Sequence, residues 1–230
     1  MPNYHYAYLV GTGIFWTAWF VCFILGKPYR PHIRWGTLIA APMALTSILF
    51  VPQYWTPGSL FNLDEKIRVG IEDFLWAAAV GGIAAVLGEV IVKDKLAALR
   101  SSRHKRHYAP FIFIAVLFVV LEFIRNNTMD NTIISFAAGA LVLAYLRPNL
   151  IPLMVTSTVN FSILYFVLFL AVLALYPEFV TRFYNLPKLL GIYIAGVPIE
   201  ELLFAATGGA IWSVAYEYVH GYRLEAAGVI

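Results

Sequence analysis

Apolar residues gather in seven long runs along the chain, at about 7–25, 35–52, 70–92, 109–124, 132–146, 151–176 and 190–219. Short segments rich in charge, Pro or polar side chains separate them. A helix crosses a bilayer core with about 17–25 largely apolar residues. Most of the runs meet that length, and the fourth and fifth are shorter. The pattern predicts an all-α polytopic membrane protein with seven transmembrane helices. Composition agrees, since 61% of the 230 residues are hydrophobic and 13% are charged, against about one-quarter charged in soluble domains. The single cysteine, Cys22, allows no internal disulfide. No basic segment and no small-residue cleavage site accompany the first run, which is expected to be a retained helix.

Charge sets an expected orientation. Lys27, Arg30, Arg34, the cluster from Lys93 to Arg106, Arg147 and Arg223 make eleven cations on alternate loops. The other loops hold five: Lys66, Arg68, Arg125, Arg182 and Lys188. The positive-inside tendency then puts the N-terminus outside and the C-terminus in the cytoplasm of a cell-membrane protein. The basic loop "KDKLAALRSSRHKRH" reads as a topology determinant in contact with lipid headgroups rather than a nucleic-acid site. His104 and His107 in that loop lack other nearby ligand types, so no metal site is expected.

The chain also repeats itself. A shift of 128 positions (72 to 200) lays Ile71-Glu72-Asp73 on Ile199-Glu200-Glu201, Trp76 on Phe204, Gly81 on Gly209 and Glu89 on Glu217. Spans 1–3 thus correspond to spans 5–7, with the fourth as a linker, a parallel 3+1+3 arrangement. The expected divisions are a first repeat at 1–92, a basic loop and linker helix at 93–131, and a second repeat at 132–230. In such a layout both acidic doublets lie at the same side of the bilayer and can face one shared cavity. The last run is too long for one perpendicular span, which predicts a kink, re-entry or strong tilt at Gly196 to Pro198.

Glu72, Asp73, Glu200 and Glu201 are the candidate catalytic residues. Acids in a first helical turn also complement the helix dipole, and that simpler role competes. Ionisable groups inside spans are costly, however, and by default mark a site. Glu89 and Glu217 belong to the opposite side and are expected to pair with loop cations. Glu122, three residues before Arg125, has the spacing of a same-face ion pair. Gly81-Gly82 and Gly208-Gly209 suit either close helix packing or room for a long apolar ligand. Asn160, with Thr156, Ser157, Thr158 and Ser162, forms a polar stripe. Trp76, Phe204, Gly81, Gly209 and Asn160 are the candidate substrate-binding residues.

A carboxyl group enclosed by apolar side chains favours its neutral, proton-carrying form, and two neighbouring acids split into a donor and an acceptor. Such a pair among aromatic faces suits protonation of a carbon–carbon double bond, the resulting cation being held by π faces and kept from water. A net isomerisation of this kind needs no redox cofactor, and none is expected.

Val197-Pro198-Ile199-Glu200-Glu201, with Leu203, Phe204, Trp212 and Tyr216-Glu217, resembles the Pro-x-Glu-Glu region of the small integral-membrane lycopene cyclases, in their fused tandem form. The resemblance implies that the doublet acids drive closure of lycopene ends into β-ionone rings, with a lipophilic polyene as substrate and membrane lipids as surroundings. The first copy reads Val69-Gly70-Ile71-Glu72-Asp73 and lacks the proline. The same family likeness extends to membrane cyclases of other prenyl-derived and meroterpenoid substrates. The rival from another class is a small-solute transporter of the sugar-exporting 3+1+3 type. Against it, the midplane of spans 3 and 7 is alanine and glycine, and Asn160 aligns with Leu45. A retinal Schiff base has no lysine in the last span, and prenyl-protease histidines and prenyltransferase aspartate motifs are absent. The residues carry no signal for self-association or for pairing with another enzyme.

Overall fold

The computed structural model describes residues 3–88, 96–100 and 108–226. Glu89, His104, His107 and most of the basic loop lie outside the described residues, so the readings placed on them are not taken further. The fold is all-helical. Seven helices of eleven residues or more occur among the described residues: α1 (Ala7–Leu25), α2 (Arg30–Ala40), α3 (Ile71–Ala84), α4 (Ala109–Ile124), α5 (Thr128–Leu146), α6 (Ile151–Leu175) and α7 (Ile199–His220). Four helical stretches, Tyr4–Leu25, Lys27–Phe50, Thr128–Leu146 and Pro148–Leu175, are long and apolar enough to cross a membrane. Their outward faces carry Leu38, Leu141 and Val155, all exposed, while six acids among the described residues are buried: Asp64, Glu72, Asp73, Glu200, Glu201 and Glu217. That inversion of the soluble pattern fits a chain solvated by lipid.

Local chemistry sets the helix ends. Pro31, Pro110 and Pro152 sit in first turns, where a missing N–H costs nothing. The Asn127 side chain accepts the Asp130 N–H at the start of α5, so that helix begins four residues before the apolar run suggests. Pro42, two residues past the end of α2, removes a backbone donor. The chain there tightens into a 3-10 stretch (Ala41–Thr46) before a last α-turn at Ser47–Phe50.

The last run does not continue one long helix back to residue 190. Tyr193–Ile194 (β1) and Val197–Pro198 (β2) pair antiparallel around Ala195 and Gly196, both at positive φ (50° and 85°). The hairpin reverses the chain immediately before α7, in place of a kinked span. Gly221, at φ 71°, ends α7 in the left-handed conformation that glycine adopts without penalty. A second ribbon pairs Leu96–Arg100 with Tyr222–Ala226.

Packing forms two groups. In one, α3 lies against both α1 and α2; in the other, α7 lies against both α6 and α5, with α4 on the outer side of α5. α1 against α6 joins the groups along one seam. At one end the connecting segments knit together: Thr56 donates to the Phe183 carbonyl (2.7 Å) and Asn185 to the Tyr54 carbonyl (2.8 Å).

Small residues permit the closest crossing. A Cβ on Gly36 would stand 2.6 Å from the Gly81 carbonyl oxygen, and one on Gly81 would overlap the Ala40 Cβ. Gly82 faces Trp19 and Thr37, whose side chains are already hydrogen-bonded to each other at 2.8 Å. Gly209 is likewise pressed against Phe161 and the Ser157 carbonyl. These glycines bring α3 onto α2 and α7 onto α6.

Candidate active site

Between the two groups lies a cavity of about 470 Å³, within the range of small-molecule sites. α3 contributes Asp73, Trp76, Ala77, Val80 and Gly81 to its wall; α7 contributes Glu201, Phe204, Ile211, Trp212, Ala215 and Val219. Both sets follow the three-and-four spacing of one helix face. Glu201 and Val219 are 18 positions apart, about 27 Å along a helix, so the chamber is elongated, with the carboxylates towards one end.

The two members of each doublet point to different places. Asp73 and Glu201 line the cavity, whereas Glu72 and Glu200 do not. Successive helical residues diverge by about 100°, so only one of each pair can join the stripe of Trp76 or Phe204. Glu72 and Glu200 are turned towards the preceding connection and are buried, 1% and 2% exposed. Glu72 Oε1 accepts the Leu60 N–H at 2.7 Å, and Glu200 Oε1 accepts the Leu190 N–H at 2.5 Å. In each case the other oxygen, Oε2, is buried without a hydrogen-bond partner. The same position in both doublets thus fastens the segment that leads into its helix.

The cavity-facing acids have denser surroundings. Asp73 Oδ1 accepts the Tyr8 hydroxyl at 2.9 Å, and its Oδ2 accepts the Gly70 N–H at 2.7 Å. Glu201 takes three phenols: Tyr54 (2.9 Å) and Tyr184 (2.8 Å) on Oε1, and Tyr165 (2.5 Å) on Oε2. Trp55 stands between the two clusters, its ring centre 4.7 Å from that of Tyr8 and 5.8 Å from that of Tyr184. Phe15, Trp76, Tyr165 and Phe204 continue the aromatic wall through edge and stacked contacts. Two carboxyl groups, one apolar chamber and a lining of π faces can exchange protons with a hydrocarbon and shelter a cation.

Other expected residues divide. Trp76, Phe204 and Gly81 are in the wall, Gly81 chiefly as a packing contact with α2. Gly209 and Asn160 are not among the lining residues. Gly209 serves the α7–α6 contact, and in the polar stripe Thr156 and Ser162 bond back to carbonyls of their own helix. Glu122 does not pair with Arg125. α4 ends at Ile124 and Arg125 is extended (φ −126°, ψ 131°), which breaks the helical spacing. Arg125 instead meets Asp130 at 3.3 Å, and Glu122 accepts from Thr128 (3.0 Å) and Asn131 (2.6 Å). Glu217 lies 3.3 Å from His32 Nδ1, a residue the charge pattern did not single out. No cluster of three or more His, Cys, Asp or Glu placed to hold a metal occurs among the described residues.

Residues 127–219 match the family model described as lycopene cyclase. That stretch is similar to a lycopene cyclase domain. It comprises α5, α6 and nearly all of α7, and carries Tyr165, Tyr184, Glu200, Glu201 and Phe204 of the site. Tyr8, Tyr54, Glu72, Asp73 and Trp76 of the same cavity lie outside the matched residues. No curated protein and no solved structure matches the chain. The matched stretch therefore supplies Glu201 and two of its phenols, and the residues before it supply Asp73 and the opposite wall.

The four tyrosines were not among the residues that pattern reading selected. Tyr54 is 147 positions from Glu201 and Tyr165 is 36. Their one sequence signal is position: in a chain with 14 Tyr, Tyr165 stands mid-run in a long span, away from the interfaces where tyrosine ordinarily collects.

Proposed function

We propose that the protein is a membrane cyclase of the lycopene type, closing the acyclic ends of a linear isoprenoid polyene into β-ionone rings. The single observation that carries this reading is that Asp73 and Glu201, one from each doublet, open onto the same apolar, aromatic-walled chamber. One of these groups, as the neutral acid, protonates the terminal double bond of the substrate. The π electrons of a neighbouring double bond then form the ring carbon–carbon bond, and the positive charge moves into the ring. The other group, as carboxylate, removes a proton from an adjacent carbon and restores a double bond. No atom is gained or lost and no electron leaves the substrate, so the change is an isomerisation. Trp76 and Phe204 offer ring faces to the intermediate cation, and the apolar wall disfavours water that would quench it.

In this reading Asp73 and Glu201 are the catalytic acids. Tyr8, Tyr54, Tyr165 and Tyr184 position them, and Glu72 and Glu200 hold the entering segments of α3 and α7. The matching roles of the two doublets support a parallel 3+1+3 repeat of seven membrane-spanning helices. The loop charges support an outside N-terminus, which puts the acid end of the chamber near the outer face. The wall favours a hydrocarbon over a transported solute, because its carboxyl groups are gathered at one end instead of at mid-membrane in both halves.

The test is expression in cells that accumulate lycopene, with pigments separated by chromatography. Conversion to γ- or β-carotene is expected, and loss of that conversion in Glu201→Gln at unchanged membrane accumulation. Unchanged lycopene with well-accumulated wild-type protein would remove lycopene as substrate.

A further inference from the structure

The chamber has one set of wall residues that are also exposed. Those from α1, α3, α5, α6 and α7, and from the segments around Tyr54 and Tyr184, are buried or half-buried. The exposed ones are Ile39, Met43 and Thr46 on α2 and its 3-10 extension, and Tyr108 and Ala115 at the start and middle of α4. They form one row on each helix at the edge of the same cavity, since 39, 43 and 46, like 108 and 115, repeat at helical spacing. α2 packs on α3 and α4 packs on α5, but α2 and α4 do not lean closely on each other. On the opposite side α1 lies against α6, and the apolar pocket there, lined by Ile14, Ala18, Leu164 and Leu168, shares no residue with the chamber.

Beyond these rows the boundary is shut at the acid end. Gln53 is hydrogen-bonded to Asn126 and Thr128, and Thr128 also bonds to Glu122. Three of the five exposed residues, Ile39, Met43 and Ala115, are apolar and the polar end is sealed, so a slot of this kind suits hydrocarbon better than water.

We infer that the α2–α4 slot is a lateral entrance, through which a long isoprenoid hydrocarbon passes from the lipid into the chamber, end first towards Asp73 and Glu201. This rests on the cyclase reading for the nature of the occupant. Length supports it as well: a hydrocarbon longer than the chamber can place its reacting end at the acids while its remainder lies between α2 and α4 in the bilayer.

The full chain, with Cys22→Ser, is reconstituted in phosphatidylcholine vesicles carrying either Met43→Cys, in the slot, or Leu38→Cys, on the same helix, exposed and outside the cavity wall. Both thiols are labelled with a lipid-soluble maleimide, with and without squalane, a saturated isoprenoid that offers no double bond to protonate. Squalane at about ten times its Kd is expected to slow labelling at Met43→Cys about tenfold and to leave Leu38→Cys unchanged. Equal labelling at both sites, or faster labelling of Met43→Cys by a charged water-soluble reagent, overturns the inference. Thr46→Cys is the alternative if Met43→Cys does not accumulate. Protection without pigment conversion would keep the entrance and remove lycopene as the substrate. Conversion without protection would do the reverse.

Discussion

Trp76 and Phe204 stack across the chamber, ring centres 5.9 Å apart and planes inclined by 25°. They occupy equivalent positions three residues after Asp73 and Glu201, so each aromatic lies on the same helix face as the second acid of its doublet. The pair is where α3 and α7 meet and where a developing cation would find two π faces. Replacing either ring with leucine keeps apolar volume and removes the quadrupole. Cation–π contacts are worth about 0.5–2 kcal/mol, so Trp76→Leu and Phe204→Leu should each lower the cyclisation rate by about two- to thirtyfold. Substrate retention by the membrane protein should change little, as judged by pigment time courses and co-purified polyene.

The doublets should respond unequally. Asp73→Asn and Glu201→Gln remove the group that carries the proton, and general acid–base catalysis is worth about 100-fold or more. Glu72→Gln and Glu200→Gln retain an oxygen able to accept the Leu60 or Leu190 N–H, and should keep measurable conversion. Glu72→Leu and Glu200→Leu leave that N–H unpaired and should reduce accumulation as well as conversion. Pigment yield normalised to immunodetected membrane protein distinguishes these outcomes. Equal loss in Glu200→Gln and Glu201→Gln would contradict the division of labour.

Three phenols converge on Glu201, and the Tyr165 contact is the shortest at 2.5 Å. Hydrogen bonds to a charged group contribute about 1.5–3 kcal/mol. If that energy is expressed in the transition state, Tyr165→Phe should slow turnover by about ten- to hundredfold. Tyr54→Phe should have a smaller effect, because Tyr184 still donates to the same oxygen. A kcat loss with little change in KM would mark positioning of the acid; a fall in thermal midpoint without a rate effect would mark a purely structural bond.

Glycine substitutions should rank by the space each has. A Cβ on Gly208 meets Phe136 at 3.8 Å, an ordinary contact, and Gly208→Ala should be tolerated. At Gly209 the neighbours stand at 3.1–3.2 Å, and at Gly81 the added carbon overlaps Ala40. Overpacking costs about 1–3 kcal/mol. Gly81→Ala should therefore give the largest fall in detergent-solubilised thermal midpoint, Gly209→Ala a smaller one, and Gly208→Ala none that is measurable.

By itself the sequence determined the solvent and the material of the fold: apolar runs that form helices, acids within those runs that recur after 128 residues, and the aromatics that accompany them. The relative phase of Asp73 with Trp76 and Val80, and of Glu201 with Phe204 and Ala215, was also legible, because 3.6-residue periodicity is local. Which face turns inward is not local. Glu72 and Glu200 are as acidic as their neighbours, and only the packing of α3 between α1 and α2, and of α7 between α5 and α6, assigns one acid to the chamber and the other to the loop. The loss of the Glu122–Arg125 pair and the hairpin before α7 follow from backbone turns that a hydrophobic pattern does not record. The Tyr54 and Tyr184 hydroxyls reach Glu201 across 147 and 17 residues. Tertiary structure decided those contacts and the open seam, because they depend on where separate helices stop and how closely small residues let them approach.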